Sequence, residues 1–329
     1  ATLSVIEEMY RNWRSLQRFG YMKSDNSTDF GINTLVAFDS ASNDLILRTY
    51  RLFEEKLMGR PNLVYRQVQA GTNACFSIHT LDKVWADEYA ALQDIPMIDT
   101  VMLRTPMILH PKSSKRTGMF TEIDTQPMKY FKKCESNWFC YPCKVGALLC
   151  FVYFNSKYMS SALSMANLFE LATKEESAQK PDLVVIFGND DGNDATNFYY
   201  DEANDIWVGC ISDNPRIEYF GYLKKMCLTL HNLAQMKKGW LPIHGAFVNI
   251  YLKDGTKKGI MLMGDSGAGK SESIEALKAA AGDMIREVEV VFDDMGTIHL
   301  EDGVPYGQGT EIGAFIRLDD LDPGTPYRD

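Results

Sequence analysis

The residues Gly264-Asp265-Ser266-Gly267-Ala268-Gly269-Lys270-Ser271 satisfy the phosphate-loop pattern G-x-x-x-x-G-K-S/T at every defined position. Gly264, Gly267 and Gly269 let backbone N–H groups turn inward around phosphate oxygens. Lys270 can reach the terminal phosphates of a nucleoside triphosphate, and the Ser271 hydroxyl can hold a divalent metal. Downstream, Asp293-Asp294 closes the apolar run Val288-Glu-Val-Val-Phe292. A carboxylate ending a strand after a phosphate loop suits the Mg²⁺ that bridges phosphate oxygens. A pair allows one carboxylate to bind metal while the other orients or deprotonates a nucleophile. His244 lies upstream of the loop, and imidazole suits Mn²⁺ better than Mg²⁺, which prefers oxygen. These residue types in this order point to binding of a nucleoside triphosphate.

Such a loop works only between a strand and a helix. The apolar run Gly259-Ile-Met-Leu-Met263 supplies the strand, and the helix formers of 272–281, opening with Glu272, supply the helix. That helix aims its positive end at the phosphates. Upstream, Leu241-Pro-Ile-His-Gly245 leads into a strand over 246–252 and a turn over 253–258. A hairpin feeding a phosphate loop differs from the parallel crossovers of adenylate-kinase-like and GTPase-like layouts. Residues 221–240 read as a helix with the apolar stripe Leu223, Met226, Cys227, Leu230 and Leu233. Lys224 and Lys225 sit near its start, where the helix dipole disfavours cations. Local conflicts of this kind often mark function, although two solvated lysines satisfy the same pattern.

The first part of the chain reads as a mixture of helices and strands. Leu3, Ile6, Met9 or Tyr10, Trp13, Leu16 and Phe19 recur at helical spacing and predict an amphipathic opening helix rather than a signal peptide. Leu35-Val-Ala-Phe38 and Leu45-Ile-Leu47 read as short strands around a turn at 40–44. The longest apolar run, 145–154, reads as a buried strand, 158–172 as a helix and 183–187 as a buried strand. The acidic stretch 189–196 is a solvated hairpin loop, since a calcium loop opening at Asp191 would place Ala195 and Thr196 where a ligand and a glycine belong.

The chain has 329 residues, which predicts about two domains. We place an N-terminal mixed α/β domain over 1–240 and a phosphate-loop nucleotide-binding domain over 241–329. A formal net charge of −10 argues against broad nucleic-acid or anionic-membrane binding. No apolar run is long enough to span a bilayer, so the cytoplasm is the expected location. Cys140-Tyr-Pro-Cys143, with Cys134 and Cys150 nearby, suggests zinc, but no second CxxC or His pair follows. Reduced thiols are the better reading of the seven cysteines.

At the site residues the chain resembles ATP-dependent phosphoenolpyruvate carboxykinase and, more loosely, HPr kinase/phosphorylase. Tyr219-Phe-Gly-Tyr-Leu-Lys-Lys225 is similar to the carboxykinase segment Y-G-G-E-M-K-K, and Ile243-His-Gly-Ala-Phe-Val-Asn249 to M-H-C-S-A-N. Gly264 to Ser271 matches the phosphate loop, and Asp293-Asp294 the I-G-D-D-E segment. Gly264 to Glu272 also follows the HPr kinase spelling G-D-S-G-x-G-K-S-E. The resemblance implies a carboxykinase-type α/β core, Mn²⁺ ligation by Lys225, His244 and Asp294, and a substrate site lined by Tyr219 and Lys224. It implies ATP and Mg²⁺, the latter at Ser271 and Asp294, and a small anionic substrate such as oxaloacetate. Lysine ligates only when neutral, so Lys225 needs a depressed pKa.

Two segments depart from the carboxykinase pattern. Arg116-Thr-Gly-Met-Phe-Thr121 resembles R-T-G-x-F-T, but the arginine-bearing segment expected next is replaced by Glu122-Ile-Asp-Thr-Gln-Pro-Met-Lys129. Gln308-Gly-Thr-Glu-Ile-Gly-Ala314 stands where the family has E-G-G-C-Y-A-K. Three functions are therefore expected from the sequence. The leading one is a carboxykinase-type phosphotransferase, with Lys270, Lys225, Asp293 and Asp294 catalytic. The others are a kinase of a protein or small-molecule hydroxyl, and a nucleotide-binding sensor without turnover.

Overall fold

The computed structural model describes residues 2–23, 32–65, 69–81, 85–104, 107–133, 137–264, 268–280 and 284–316. In chain order the elements are α1 (Thr2–Ser15), β1 (Phe19–Lys23), α2 (Ile32–Met58), β2 (Ala74–His79), β3 (Met97–Leu103), β4 (Thr121–Glu122), β5 (Trp138–Val145) and β6 (Leu148–Asn155). There follow α3 (Met159–Ser164), β7 (Glu170–Leu171), α4 (Lys174–Ser177), β8 (Leu183–Asn189), β9 (Thr196–Asp201), β10 (Ile206–Ser212) and α5 (Gly221–Lys237). The last are β11 (Leu241–Leu252), β12 (Lys257–Met263), α6 (Lys270–Ala280), β13 (Ile285–Glu301) and β14 (Val304–Gly309).

The architecture is mixed α/β. Among the described residues, ten strands form one mixed sheet in the order β1-β2-β3-β5-β6-β8-β10-β9-β4, with β7 added to β5. Four more form an antiparallel sheet, β12-β11-β13-β14. The large sheet is covered on both faces. Phe139, Tyr141, Val152, Phe154, Val185 and Phe187 face α3 and α5, whereas Trp138, Cys140, Phe151, Tyr153, Val184 and Ile186 face Tyr89, Leu92 and Trp85. Successive side chains point to opposite faces of a strand, so burial on both sides requires the unbroken apolar runs seen here. No helix among the described residues is long and apolar enough to cross a membrane.

Several local expectations change. Residues 35–47 are helical, within α2, and not two strands. The polar stretch that suggested a turn makes tertiary bonds instead: Asp39 accepts from Thr72 N at 3.1 Å and Asn43 from Ala70 N at 2.9 Å. The run 145–154 is the expected buried strand only from Leu148, as β6; Val145 ends β5 and the chain folds back at Gly146, whose φ of +58° suits glycine. Residues 158–172 break into the single-turn α3, short 3₁₀ turns and β7 rather than one helix. The loop 189–196 is no hairpin, because β10 lies between β8 and β9. The helix α1 ends before Phe19, which opens β1. The described cysteines of the CxxC, Cys140 and Cys143, are free and buried, as is Cys150; Cys134 lies outside the described residues.

Candidate active site

Gly245 sets the frame of the site. On the central strand β11 it lies between Met263 of β12 and Asp294 of β13. A Cβ at Gly245 would come within 2.5 Å of the Leu262 carbonyl oxygen, so only glycine allows this approach. The motif over 264–271 starts directly after Met263, and Gly264 N donates to His244 O at 3.5 Å. The hairpin expected from sequence is present and delivers the loop beside His244.

Asp293 and Asp294 do not close a strand; they lie inside the 17-residue β13. Residues directly opposite in an antiparallel pair share a face. Asp293 is opposite Ala246, which packs against Ile274 of α6, whereas Asp294 is opposite Gly245. Asp294 has φ +119°, a conformation that costs about 1–3 kcal/mol in a non-glycine residue and clusters at functional sites. His244 stands opposite Met295, yet its Nε2 lies 3.1 Å from Asp294 Oδ1.

The helix α5 supplies the cations. Its first turns pack on the large sheet and bring Lys224 Nζ to 3.1 Å from Asp294 Oδ2 and 2.8 Å from Glu311 Oε1. The Lys224 and Glu311 side chains are only 7% and 6% exposed, so this pair is shielded from screening by water. Burial works against the charge of Lys224, but Glu311 and Asp294 outweigh it and hold its pKa above the ordinary value. Burial pushes Glu311 up, and Lys224, shared between two carboxylates, offsets this only in part. Burial also opposes ionisation of Asp294, yet Lys224, Lys225 and His244 together hold it below the usual carboxylate range. Lys225 moves the other way: burial draws its pKa down, and the opposing pull of Asp294 and Glu311, itself countered by Lys224 and Arg116, does not restore it. The amine expected to need depression is depressed.

Of the phosphate loop, Gly264, Ala268, Gly269 and Lys270 are placed; Asp265, Ser266 and Gly267 lie outside the described residues. Gly269 has φ +82°, and Lys270 Nζ donates to Gly264 O at 3.0 Å across the loop. The backbone of Ser271 and Glu272 falls in the first turn of α6, and their side chains lie outside the description. Tyr219 precedes α5 and packs edge-on against Tyr222 and beside Phe315. The Tyr222 hydroxyl accepts from Thr117 N at 3.0 Å, which docks the Arg116-Thr-Gly segment on the same turn.

Sequence reasoning missed Glu311, although it stands inside the 308–314 segment noted as a departure. Among the described residues no three His, Cys, Asp or Glu side chains group as metal ligands. His244 and Asp294 are two of the expected donors, and Lys225 is of another type. Two ligands at right angles on an ion with ~2.1 Å bonds stand about 3.0 Å apart. The 3.1 Å between His244 Nε2 and Asp294 Oδ1 fits that spacing, and imidazole, carboxylate and a depressed amine suit a divalent transition metal. No protein-family model matches the chain, and no curated protein matches it in sequence.

Proposed function

We propose that this protein is an ATP-dependent, divalent-metal-dependent phosphotransferase of the phosphoenolpyruvate carboxykinase type, converting oxaloacetate and ATP to phosphoenolpyruvate, CO₂ and ADP. One observation carries the reading. Residues from segments far apart in the chain converge on one carboxylate: Lys224 and His244 both lie 3.1 Å from Asp294, and His244 O accepts from the first phosphate-loop residue. The loop amides and Lys270 would hold the triphosphate and stabilise charge on the phosphoryl group in transfer. Mg²⁺ at Ser271 and Asp294, with Mn²⁺ among Lys225, His244 and Asp294, would supply positive charge at the phosphates and at an enolate oxygen. Lys225, with its pKa drawn down by burial, would give up its proton to a metal more readily than an ordinary lysine. Tyr219, beside the start of α5, would line the substrate site.

A second reading, a kinase of a protein or small-molecule hydroxyl, is favoured by residues 122–129. Thr121 and Glu122 form β4 against β9, Gln126 Nε2 bonds Asp201 Oδ2 at 3.2 Å, and Pro127 is buried. These residues serve the scaffold and provide no substrate arginine. In that reading Asp293 is the better base, because Asp294 is engaged by Lys224 and held below the usual carboxylate range.

Turnover of oxaloacetate with ATP and Mn²⁺ separates these readings. Formation of phosphoenolpyruvate that is lost in Lys225→Ala supports the first. Tight Mg-ATP binding with no product from oxaloacetate contradicts it and moves the acceptor to a hydroxyl or the protein to a sensor.

A further inference from the structure

The strap 309–315 has no part in the expected site, yet it reaches three elements of the fold. Thr310 N and Oγ1 both donate to Met295 O of β13, at 3.4 and 3.0 Å. Thr310 O accepts from Gly146 N in the β5–β6 turn at 3.1 Å, and Ile312 N donates to Leu168 O at 2.8 Å. Gly313 passes so close to Asn167 that a Cβ would stand 2.1 Å from its carbonyl oxygen. The Phe315 ring packs at a tilt against Phe220, with centroids 5.0 Å apart, and Phe220 caps α5. The strap is fixed to both sheets and to the helix that carries Lys224, and Glu311 sits in its middle.

We propose that Glu311 is a positioning residue. It holds the Lys224 ammonium, 2.8 Å away, so that Lys224 engages only Oδ2 of Asp294 and leaves Oδ1 to His244 and a divalent ion. Lys224 is then a brace for Asp294 and not a residue that grips substrate. Without Glu311, the buried ammonium has Asp294 as its remaining carboxylate and competes with a divalent ion for it. The proposal rests on the reading of Asp294 as a metal ligand. Partners that orient a ligand typically cost 10–100-fold in metal affinity when removed.

Mn²⁺ binding, titrated by electron paramagnetic resonance in the full chain without substrate, tests this. Glu311→Gln should weaken Mn²⁺ binding by about 10- to 100-fold. Adding Lys224→Met to Glu311→Gln removes the competitor, so binding should return toward the wild-type value. Thr310→Val, which loosens the strap without changing charge, should weaken binding by a smaller factor and carries the test if Glu311→Gln does not fold. Wild-type Mn²⁺ binding that is unchanged by both Glu311→Gln and Thr310→Val overturns the proposal alone, as does weakening that persists in the double variant. Wild-type protein that binds no Mn²⁺ overturns the metal reading and the proposal with it.

Discussion

The large sheet is buried on both faces, whereas the small one is thinly covered. Every residue of β8 is buried, and β5 and β6 have one partly exposed position each. In β12 none is fully buried, and the 17-residue β13 has only three buried positions, Phe292, Gly296 and Thr297. The core between the small sheet and α6 consists of Ala246, Val248, Ile250 and Ile274, with partly buried neighbours. The central strands of the large sheet are fixed by packing, while His244 and Asp294 of the small sheet are partly exposed and held by polar contacts. Lys224 and Lys225 belong to a helix packed on the large sheet; His244 and Asp294 belong to the small one, and Lys270 opens α6 beside it. The candidate site draws on both.

The contrast can be broken most forcefully in the large sheet. Phe151→Ala removes a fully buried ring and should cost about 3–5 kcal/mol in denaturant unfolding. A loss below that of a small-sheet substitution would contradict the ranking.

A pH effect of intermediate size belongs to the same scaffold. His231 on α5 is wholly buried beside Gly146, and burial lowers its pKa to about 4. The unfolded chain, with an ordinary His value near 6.5, then binds more protons than the folded one. Stability should fall by about 3 kcal/mol as pH drops from about 6.5 to 4, with no further contribution below. His231→Gln should flatten that part of the stability profile; an unchanged slope in the variant would show that other groups cause it.

In the small sheet, Ile250→Ala should cost about 2 kcal/mol, at the lower end of the range for such truncations, because its surroundings are sparse and can relax. Denaturant midpoints of this variant and Phe151→Ala, measured together, test the ranking directly.

Legibility in the sequence followed the same division. Buried strands such as β8 were readable as apolar runs, and α5 and the β11–β12 hairpin were readable from period and turn residues. The error at α2 came from the polar residues of 40–44, among them Asn43, whose side chain looks like a turn former but accepts from the backbone N–H groups of Ala70 and Gly71. His244, Lys270 and Asp294 stood out in the sequence because the phosphate-loop pattern and the carboxykinase resemblance name their residue types. The position of Asp294 inside a strand was not, since its φ of +119° depends on tertiary contacts. Glu311 was hidden because a lone glutamate after a glycine-rich strand has no local signature; only the fold brings it to Lys224.

Hydrogen exchange with and without ATP, Mg²⁺ and Mn²⁺ tests the central claim most directly. The account predicts slower exchange at 221–225, 243–246, 262–264, 268–270 and 293–296, in α5, β11, the end of β12, the start of α6 and β13, with 183–189 in the large sheet unchanged. Protection confined to the large sheet, or none at saturating ATP and metal, would contradict it.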